Sequence, residues 1–287
     1  KYVMILPVVI YIAIFCYKPM YGILIAFQNY RPAVGMAGSK WVGLDNFIRF
    51  FHAYNFFRIL RNSFSISILS ILFGFPAPIL LALLINEIRN NKFKRTVQTV
   101  SYIPYFISMV VICGLIKTFC QSDGLITDLV VLLGGERSNL LADKNWFYPI
   151  YVVSNIWQYI GWDSIIYLAA LSGIDQEQYE AAKVDGAGRL RQMISVTLPG
   201  LMPTITILFI LKMGGILNVG FEKILLLYSP TTYEVADVIS TYVYRIGILE
   251  ANFSYSTAIG LFNSVVNVIF LCGTNAITKR LNDSSLF

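Results

Sequence analysis

One polar segment between two apolar stretches has the spacing of a compact, folded surface element. It reads DQEQYEAAKVDGAGRLRQMISVTLPGLMP and covers residues 175–203. Asp175 is a typical N-cap residue, so we predict a short helix after it, and Gly186 and Gly188 predict a cap or turn that ends this helix. A second helix then leads to Pro199 at the start of the next apolar stretch. The pattern predicts two helices and a glycine turn that together form a protruding knob.

Polar and aromatic side chains also gather inside two apolar stretches. They are Asn155, Gln158, Tyr159, Trp162 and Asp163 in the first stretch, and Asn218, Phe221 and Glu222 in the second. Such side chains form hydrogen bonds and stack on planar or ring-shaped ligands. A carboxylate in the middle of a membrane faces a cavity or pairs with a neighbouring helix. Asp163 has both alternatives open, and Lys212 is a candidate for the pairing.

Other reactive residues are few. The four cysteines, Cys16, Cys113, Cys120 and Cys272, lie singly in apolar stretches, so we interpret them as buried small side chains rather than disulfides or zinc ligands. The one histidine, His52, is interpreted as a surface residue. The sequence contains no GxxxxGK[ST] phosphate loop. We therefore predict no metal and no cofactor in this chain.

The composition identifies lipid as the main solvent. Apolar residues make up 56% of the 287 residues and charged residues 13%, against about 45–50% and about 25% in soluble domains. This excludes a soluble enzyme, a disordered chain and a fibrous repeat. The net charge of +6 is attributed to basic cytoplasmic loops rather than to nucleic-acid binding.

Long uncharged runs predict an all-α, polytopic membrane protein that forms a single transmembrane domain over residues 1–287. A crossing helix needs about 20 apolar residues. We place six spans at about 3–27, 62–86, 96–120, 146–172, 195–221 and 254–279, with the knob in the loop 173–194. The first span is interpreted as an uncleaved helix rather than a signal peptide. Because the chain begins at Lys1, we expect a short N-terminal piece to precede it. Pro76 and Pro78 predict a kink or break in the second span.

Basic residues in short loops predict the orientation. The loop after the second span holds four of them, whereas the loops 121–145 and 222–250 hold two each against four acidic residues each. Both termini are therefore predicted to be cytoplasmic. The first outer loop disagrees, since five basic residues lie in it, but it is long enough for the rule to weaken. Its segment 46–64 interleaves Phe and Arg at helical spacing, which favours an interface helix over a platform for nucleic acid.

The knob resembles the signature of the permease subunits of binding-protein-dependent ABC importers. The family pattern is Glu-Ala-Ala, three residues, Gly, nine residues, an aliphatic residue, one residue and Leu-Pro. This chain has Glu180, Ala181, Ala182, Gly186, Leu198 and Pro199 at these positions, with Val196 where Ile is usual and with Asp185 and Ala187 in the common DGA extension. Residues 41–64 resemble the outer loop of carbohydrate-uptake permeases. Residues 220–248 resemble the branch that imports oligosaccharides and polysaccharide fragments.

The resemblance implies a type I ABC importer permease in a bacterial cell membrane. In the family, the Glu-Ala-Ala loop is a coupling helix that sits in a groove of an ATPase subunit. Glu180 would offer its carboxylate to a basic residue there, and Gly186 would allow the turn. The implied partners are two ATPase subunits that bind ATP and Mg, a second homologous permease, a lipid-anchored or periplasmic solute-binding protein, membrane lipid and an oligosaccharide. No nucleic acid is implied.

For a sugar substrate, the polar intramembrane residues become the expected path. Gln158 and Trp162 are one turn apart and are predicted to share a helix face, for hydrogen bonds and for stacking on a sugar ring. Gly214, Gly215 and Gly220 are expected to unwind the fifth span locally or to pack tightly. An ion-coupled secondary transporter is the alternative function. A membrane-embedded enzyme is disfavoured because the sequence shows no converging catalytic groups.

Overall fold

The computed structural model describes residues 2–282 and residue 286 and is predominantly helical. The α-helices are α1 Tyr2–Ile12, α2 Lys18–Met20, α3 Gly35–Gly38, α4 Asp45–Phe51, α5 Phe56–Leu69, α6 Pro76–Asn86, α7 Asn91–Tyr102, α8 Met109–Phe119, α9 Leu125–Leu132, α10 Lys144–Ser172, α11 Gln176–Val184, α12 Arg189–Gln192, α13 Leu198–Met213, α14 Phe221–Leu227, α15 Tyr233–Ala236, α16 Ile239–Tyr244 and α17 Phe253–Asn282. Turns of π-helix cover Ala13–Tyr17, Ser70–Gly74, Met193–Thr197 and Arg245–Leu249, and turns of 3₁₀-helix cover Tyr21–Phe27, Ile103–Phe106 and Leu140–Ala142. Strands β1 Gln28–Asn29 and β2 Lys40–Trp41 pair antiparallel, with Gln28 opposite Trp41.

Backbone contacts divide the chain into two compact units. The first comprises the residues up to Arg61 together with Asp237–Val266, and the second comprises Asn62–Ala236 together with the residues from Asn267 onward. The expectation of one transmembrane domain over residues 1–287 stays a prediction.

Aromatic rings form the core of the first unit. Phe50 is 1% exposed and meets Phe56 edge-on, with ring centroids 5.0 Å apart. Phe262 and Tyr255 lie 5.4 Å and 6.4 Å from the same ring. Edge-to-face pairs of this kind stabilise a core beyond the area that they bury.

A buried carboxylate joins two elements of the first unit. Asp237 is fully buried and accepts hydrogen bonds from Nη2 of Arg245 at 2.7 Å and from Oγ1 of Thr241 at 2.9 Å. Nη2 of Arg58, on α5, lies 3.9 Å from Oδ2 of Asp237, the same oxygen that accepts from Arg245. A buried carboxylate is stable only with such compensation, so this network holds α5 against the α16 segment.

Apolar helices lie where the spans are predicted. By length and composition, four helical stretches can cross a membrane: Met4–Phe27, Phe56–Asn86, Arg189–Met213 and Phe253–Arg280. The bent pair Asn91–Phe106 and Met109–Phe119 gives a fifth if it is one span. α10 covers the predicted fourth span with 29 residues but is more polar. A multi-pass membrane chain is confirmed, and the count of six stays a prediction.

Two predicted spans are not the continuous helices that were expected. In the third, the chain bends by 97° between Phe106 and Met109. Ile107 is extended there, and Ser108 caps α8 by accepting a hydrogen bond from the backbone N–H of Val111 at 3.4 Å, because a helix restarts readily after a serine. In the fifth, α13 ends at Met213 and residues 214–220 are irregular, which agrees with local unwinding at the glycines; the span boundary at 221 stays a prediction.

Two local expectations about helix continuity are also corrected. The Phe56–Asn86 stretch continues through Pro76 and Pro78, so the alternative of a break is wrong, whereas a kink there stays a prediction. The π-helical turn at Ser70–Gly74 comes directly before them, where the prolines remove regular helix bonds. The segment 46–64 is not one interface helix, because α4 ends at Phe51 and α5 begins at Phe56.

The cysteine interpretation holds for two of the four residues. All four are free thiols, and Cys113 and Cys120 are buried. Cys16 and Cys272 are exposed, so burial in this chain is the wrong interpretation for them. Both lie on helical stretches that are long and apolar enough to cross a membrane. His52 is exposed, as predicted.

Candidate functional site

The second unit encloses a cavity of about 730 Å³. α5, α6, α10, α13 and the irregular segment 214–220 contribute to its wall. Five of the eight candidate path residues line it, namely Asn155, Tyr159, Trp162, Asp163 and Asn218. The volume lies in the range of about 300–1,000 Å³ that is typical of small-molecule sites.

The cavity-facing stripe of α10 follows helical periodicity. Asn155, Tyr159, Trp162 and Ile166 are three or four residues apart and all line the wall. Gln158 is rotated by about 100° from Tyr159. It is 3% exposed and lies outside the lining. Phe221 and Glu222 lie outside it too, so the structure does not bring these three to the cavity.

Asp163 and Lys212 both line the cavity and form no ion pair within 4.0 Å, in the part of the chain that the structure describes. Each is exposed. Of the two alternatives for Asp163, direct pairing with Lys212 is therefore not formed among the described residues, and both side chains line the cavity.

Trp162 belongs to an aromatic platform that the sequence did not reveal. Its ring is parallel to that of Tyr105, at a centroid distance of 4.2 Å and an angle of 3°, and Phe106 meets it edge-on at 5.6 Å. Tyr105 and Phe106 come from the 3₁₀ turn before the bend in the third span. The bend therefore places two rings against Trp162, which leaves 40% of that residue exposed.

Side chains satisfy the irregular backbone of 214–220. Oδ1 of Asn267 accepts a hydrogen bond from the N–H of Leu217 at 3.0 Å. Nδ2 of Asn267 donates to Oδ1 of Asn218 at 3.2 Å, and Ser67 donates to the carbonyl of Ile216. Non-helical backbone at membrane depth is stable only where protein or a water-filled cavity covers it, and this segment is bonded by protein side chains and lines the cavity.

Tyr151 and Lys223 form a second feature that the sequence analysis missed. Tyr151 lines the cavity, and its Oη accepts a hydrogen bond from the N–H of Gly220 at 3.0 Å. Nζ of Lys223 lies 5.7 Å from the centre of the Tyr151 ring, and Lys223 is 1% exposed. Burial lowers the pKa of Lys223 to about 8.

The knob has the geometry that its sequence predicts. Oδ1 of Asp175 accepts a hydrogen bond from the N–H of Glu177 at 3.0 Å and caps α11. At the other end, the N–H of Ala187 donates to the carbonyl of Ala182 at 2.9 Å, and that of Gly186 to Lys183 at 3.0 Å. This pair of bonds is a Schellman motif, which places its glycine in the left-handed region. Gly186 has φ of +76°.

The knob is fastened to the start of α13. The hydroxyl of Tyr179, on α11, lies 3.0 Å from Oγ1 of Thr197. Gly200 lies so close to Ile174 that an added Cβ would be 2.7 Å from its Cδ1. Glu180, Ala181 and Asp185 remain exposed. The knob therefore presents two exposed carboxylates while its base is tied to a membrane helix.

A family model and several known proteins match this chain. Residues 74–283 match the family described as binding-protein-dependent transport system inner membrane component. Protein LplB of Bacillus subtilis is 46% identical over 287 residues, which cover all of this chain and 90% of LplB. The polygalacturonan/rhamnogalacturonan transport system permease protein YteP of Bacillus subtilis is 47% identical over all of this chain and 89% of YteP.

A solved structure shares the fold. It is a chain of a bacterial alginate ABC transporter in complex with an alginate pentasaccharide-bound periplasmic protein. That chain is 44% identical to this one, with a TM-score of 0.90 over 99% of this chain and 96% of that chain.

Proposed function

The chain belongs to the family of binding-protein-dependent transport system inner membrane components, and on that premise we propose that its knob couples an ATPase to the cavity. The chain is a transmembrane permease of a carbohydrate-uptake ABC importer. The named relatives and the solved structure give no support to an ion-coupled transporter. The finer proposals concern the coupling, the path, the partners and the orientation.

The observation that carries the coupling proposal is the course of α13. Its start is fastened to the knob through Thr197, and its far end contributes Leu208, Leu211 and Lys212 to the cavity wall. These ends are about 14 residues or roughly 20 Å apart. A push on the knob therefore reaches the cavity through one helix.

The proposed mechanism uses two states of the permease. Two ATPase subunits, which hold ATP and Mg, close on each other and displace the knob, and the exposed Glu180 carboxylate pairs with a basic residue in their groove. Closure shifts the population from an inward-open to an outward-open cavity, because the ATP-bound dimer binds one arrangement of the knobs better than the other. A second homologous permease completes the path.

The proposed substrate is an oligosaccharide delivered by an extracellular lipid-anchored or periplasmic binding protein. The alginate transporter structure, which contains an oligosaccharide-bound periplasmic protein, supports this proposal by analogy. Asn155, Tyr159 and Asn218 would bond to sugar hydroxyl groups, and the exposed part of Trp162 would contact a sugar ring.

Replacing Trp162 with alanine tests the path. We expect the KM for uptake to rise about 5- to 10-fold, because a lost stacking contact costs about 1–1.5 kcal/mol. ATPase activity without substrate should stay unchanged. Trp157→Ala is the matched control, since Trp157 is on the same helix, is 48% exposed and does not line the cavity. Equal KM values for the two variants would show that the substrate does not contact this face of α10.

Cysteine labelling tests the proposed orientation, with both termini cytoplasmic. On a cysteine-free background, a cysteine at Glu136 should react with a membrane-impermeant reagent in intact cells, and one at Lys92 only after lysis. Both residues are exposed, so accessibility within the chain does not bias the comparison. The reverse pattern of labelling would invert the topology.

A further inference from the structure

We propose that Lys223, acting through Tyr151, makes the cavity selective for oligosaccharides that carry carboxylate groups. This inference rests on the proposed function, because it assigns a chemical class to the oligosaccharide that the cavity accepts. It concerns two residues outside the predicted path set, and the hydroxyl of one of them is oriented by the irregular segment 214–220.

The Tyr151 hydroxyl is arranged as a hydrogen-bond donor. Its oxygen accepts from the N–H of Gly220, and both residues line the cavity. Among the described residues, no oxygen or nitrogen accepts a hydrogen bond from the Tyr151 hydroxyl. A phenol with one lone pair engaged by a backbone N–H can donate that hydrogen to a ligand. Gly220 therefore fixes the hydroxyl position without consuming its proton.

Lys223 supplies a positive charge that no described residue neutralises. It takes part in none of the salt bridges of the described residues, and its Nζ has no hydrogen-bond partner among them. The adjacent Glu222 is exposed and does not pair with it. A buried charge without a counterion is costly, so an anion bound next to the cavity wall would stabilise the ammonium form of Lys223.

The charged side chain that lies against Tyr151 is Lys223, which does not itself line the cavity. Asp163 and Lys212 have opposite signs and cancel in the net charge of the wall. The Lys223 side chain is buried with its Nζ 5.7 Å from the centre of the Tyr151 ring, whereas the Glu222 carboxylate is exposed, so the ammonium group is the charge that acts on the Tyr151 hydroxyl. A carboxylate accepts hydrogen bonds more strongly than a neutral hydroxyl group, so a uronate unit is favoured next to Tyr151.

Nζ of Lys223 is covered within this chain, which determines how it acts. Because the atom is buried, it does not meet the carboxylate directly. It acts electrostatically, and the Tyr151 hydroxyl makes the contact. Lys223 is therefore a positioning and selectivity residue, and Tyr151 is the residue that touches the substrate.

The test compares acidic sugars with their neutral esters in the intact transporter. The probes are trisaccharides of galacturonate and of mannuronate, each as the free acid and as the methyl ester. Uptake is measured in proteoliposomes that hold the complete complex, with one binding protein throughout. The variants are Lys223→Met, Lys223→Arg and Tyr151→Phe, and Lys117→Met is the control because Lys117 is an exposed lysine at the end of α8.

We expect Lys223→Met and Tyr151→Phe to raise the KM for a free acid about tenfold and to leave the KM for its ester within about twofold. Lys223→Arg should restore the wild-type ratio, and Lys117→Met should not change it. Equal effects on acid and ester, or unchanged acid uptake in both well-expressed variants, would overturn the inference. Wild-type uptake of the esters alone would also overturn it while leaving the proposed function intact. Failure of every probe in ATP-loaded vesicles would contradict both.

Discussion

In the Gly186→Pro variant, ATP-driven uptake should fall about 100-fold while the chain still inserts into the membrane. Gly186 has φ of +76°, whereas proline is restricted to about −65° and lacks the N–H that bonds to Lys183. The Schellman turn therefore cannot form, and the knob loses its shape. Allosteric coupling free energies of about 1–3 kcal/mol correspond to roughly 5- to 150-fold effects, and we expect most of the coupling to be lost.

Two further variants distinguish the loss of the turn at residue 186 from the mere loss of a glycine in the knob. Gly188 lies two residues away with φ of −68° and open space around its Cα, so Gly188→Ala should transport normally. In Gly186→Ala the added Cβ would have no atom within 4 Å, but alanine at positive φ is strained by about 1–2 kcal/mol. Uptake by this variant should therefore lie between that of Gly188→Ala and that of Gly186→Pro. Wild-type uptake in Gly186→Pro, with substrate-stimulated ATPase activity retained, would remove the knob from the coupling mechanism.

Asp237→Ala should destabilise the chain by about 3–5 kcal/mol, since removing one member of a buried ion network leaves its partners uncompensated. Arg245 and Arg58 would then lose their shared carboxylate. We expect the Tm of the solubilised complex to fall by about 6–20 °C. Glu250→Ala is the control, because Glu250 is exposed and forms no salt bridge among the described residues. Equal Tm values for the two variants would show that the network is not stabilising.

Local sequence rules predict the knob because its structure depends on neighbours in the chain. Asp175 as N-cap and Gly186 as the turn glycine both follow from backbone chemistry within a few residues. The positions of the apolar helices follow from the length of uncharged runs in the same way. The family signature adds the role of this loop, which local chemistry alone does not contain.

Features that depend on distant contacts were not predictable. The 97° bend in the third span brings Tyr105 onto Trp162, but its apolar sequence looks like an ordinary crossing helix. Helical spacing predicts that Gln158 shares a face with Trp162, yet the residues of α10 that line the cavity include Tyr159 and leave Gln158 buried. The pairing of Lys223 with Tyr151 joins residues 72 positions apart, so no local pattern indicates it.

Cross-linking from the tip of the knob tests the coupling proposal most directly. Val184 is 88% exposed at the end of α11, so a photoreactive residue there can reach whatever the knob contacts in native membranes. We predict a cross-link to an ATP-binding subunit that disappears in the Gly186→Pro background. Cross-links to lipid or to an extracellular protein alone, with uptake intact, would contradict the proposal that this knob transmits ATP-driven motion to the cavity.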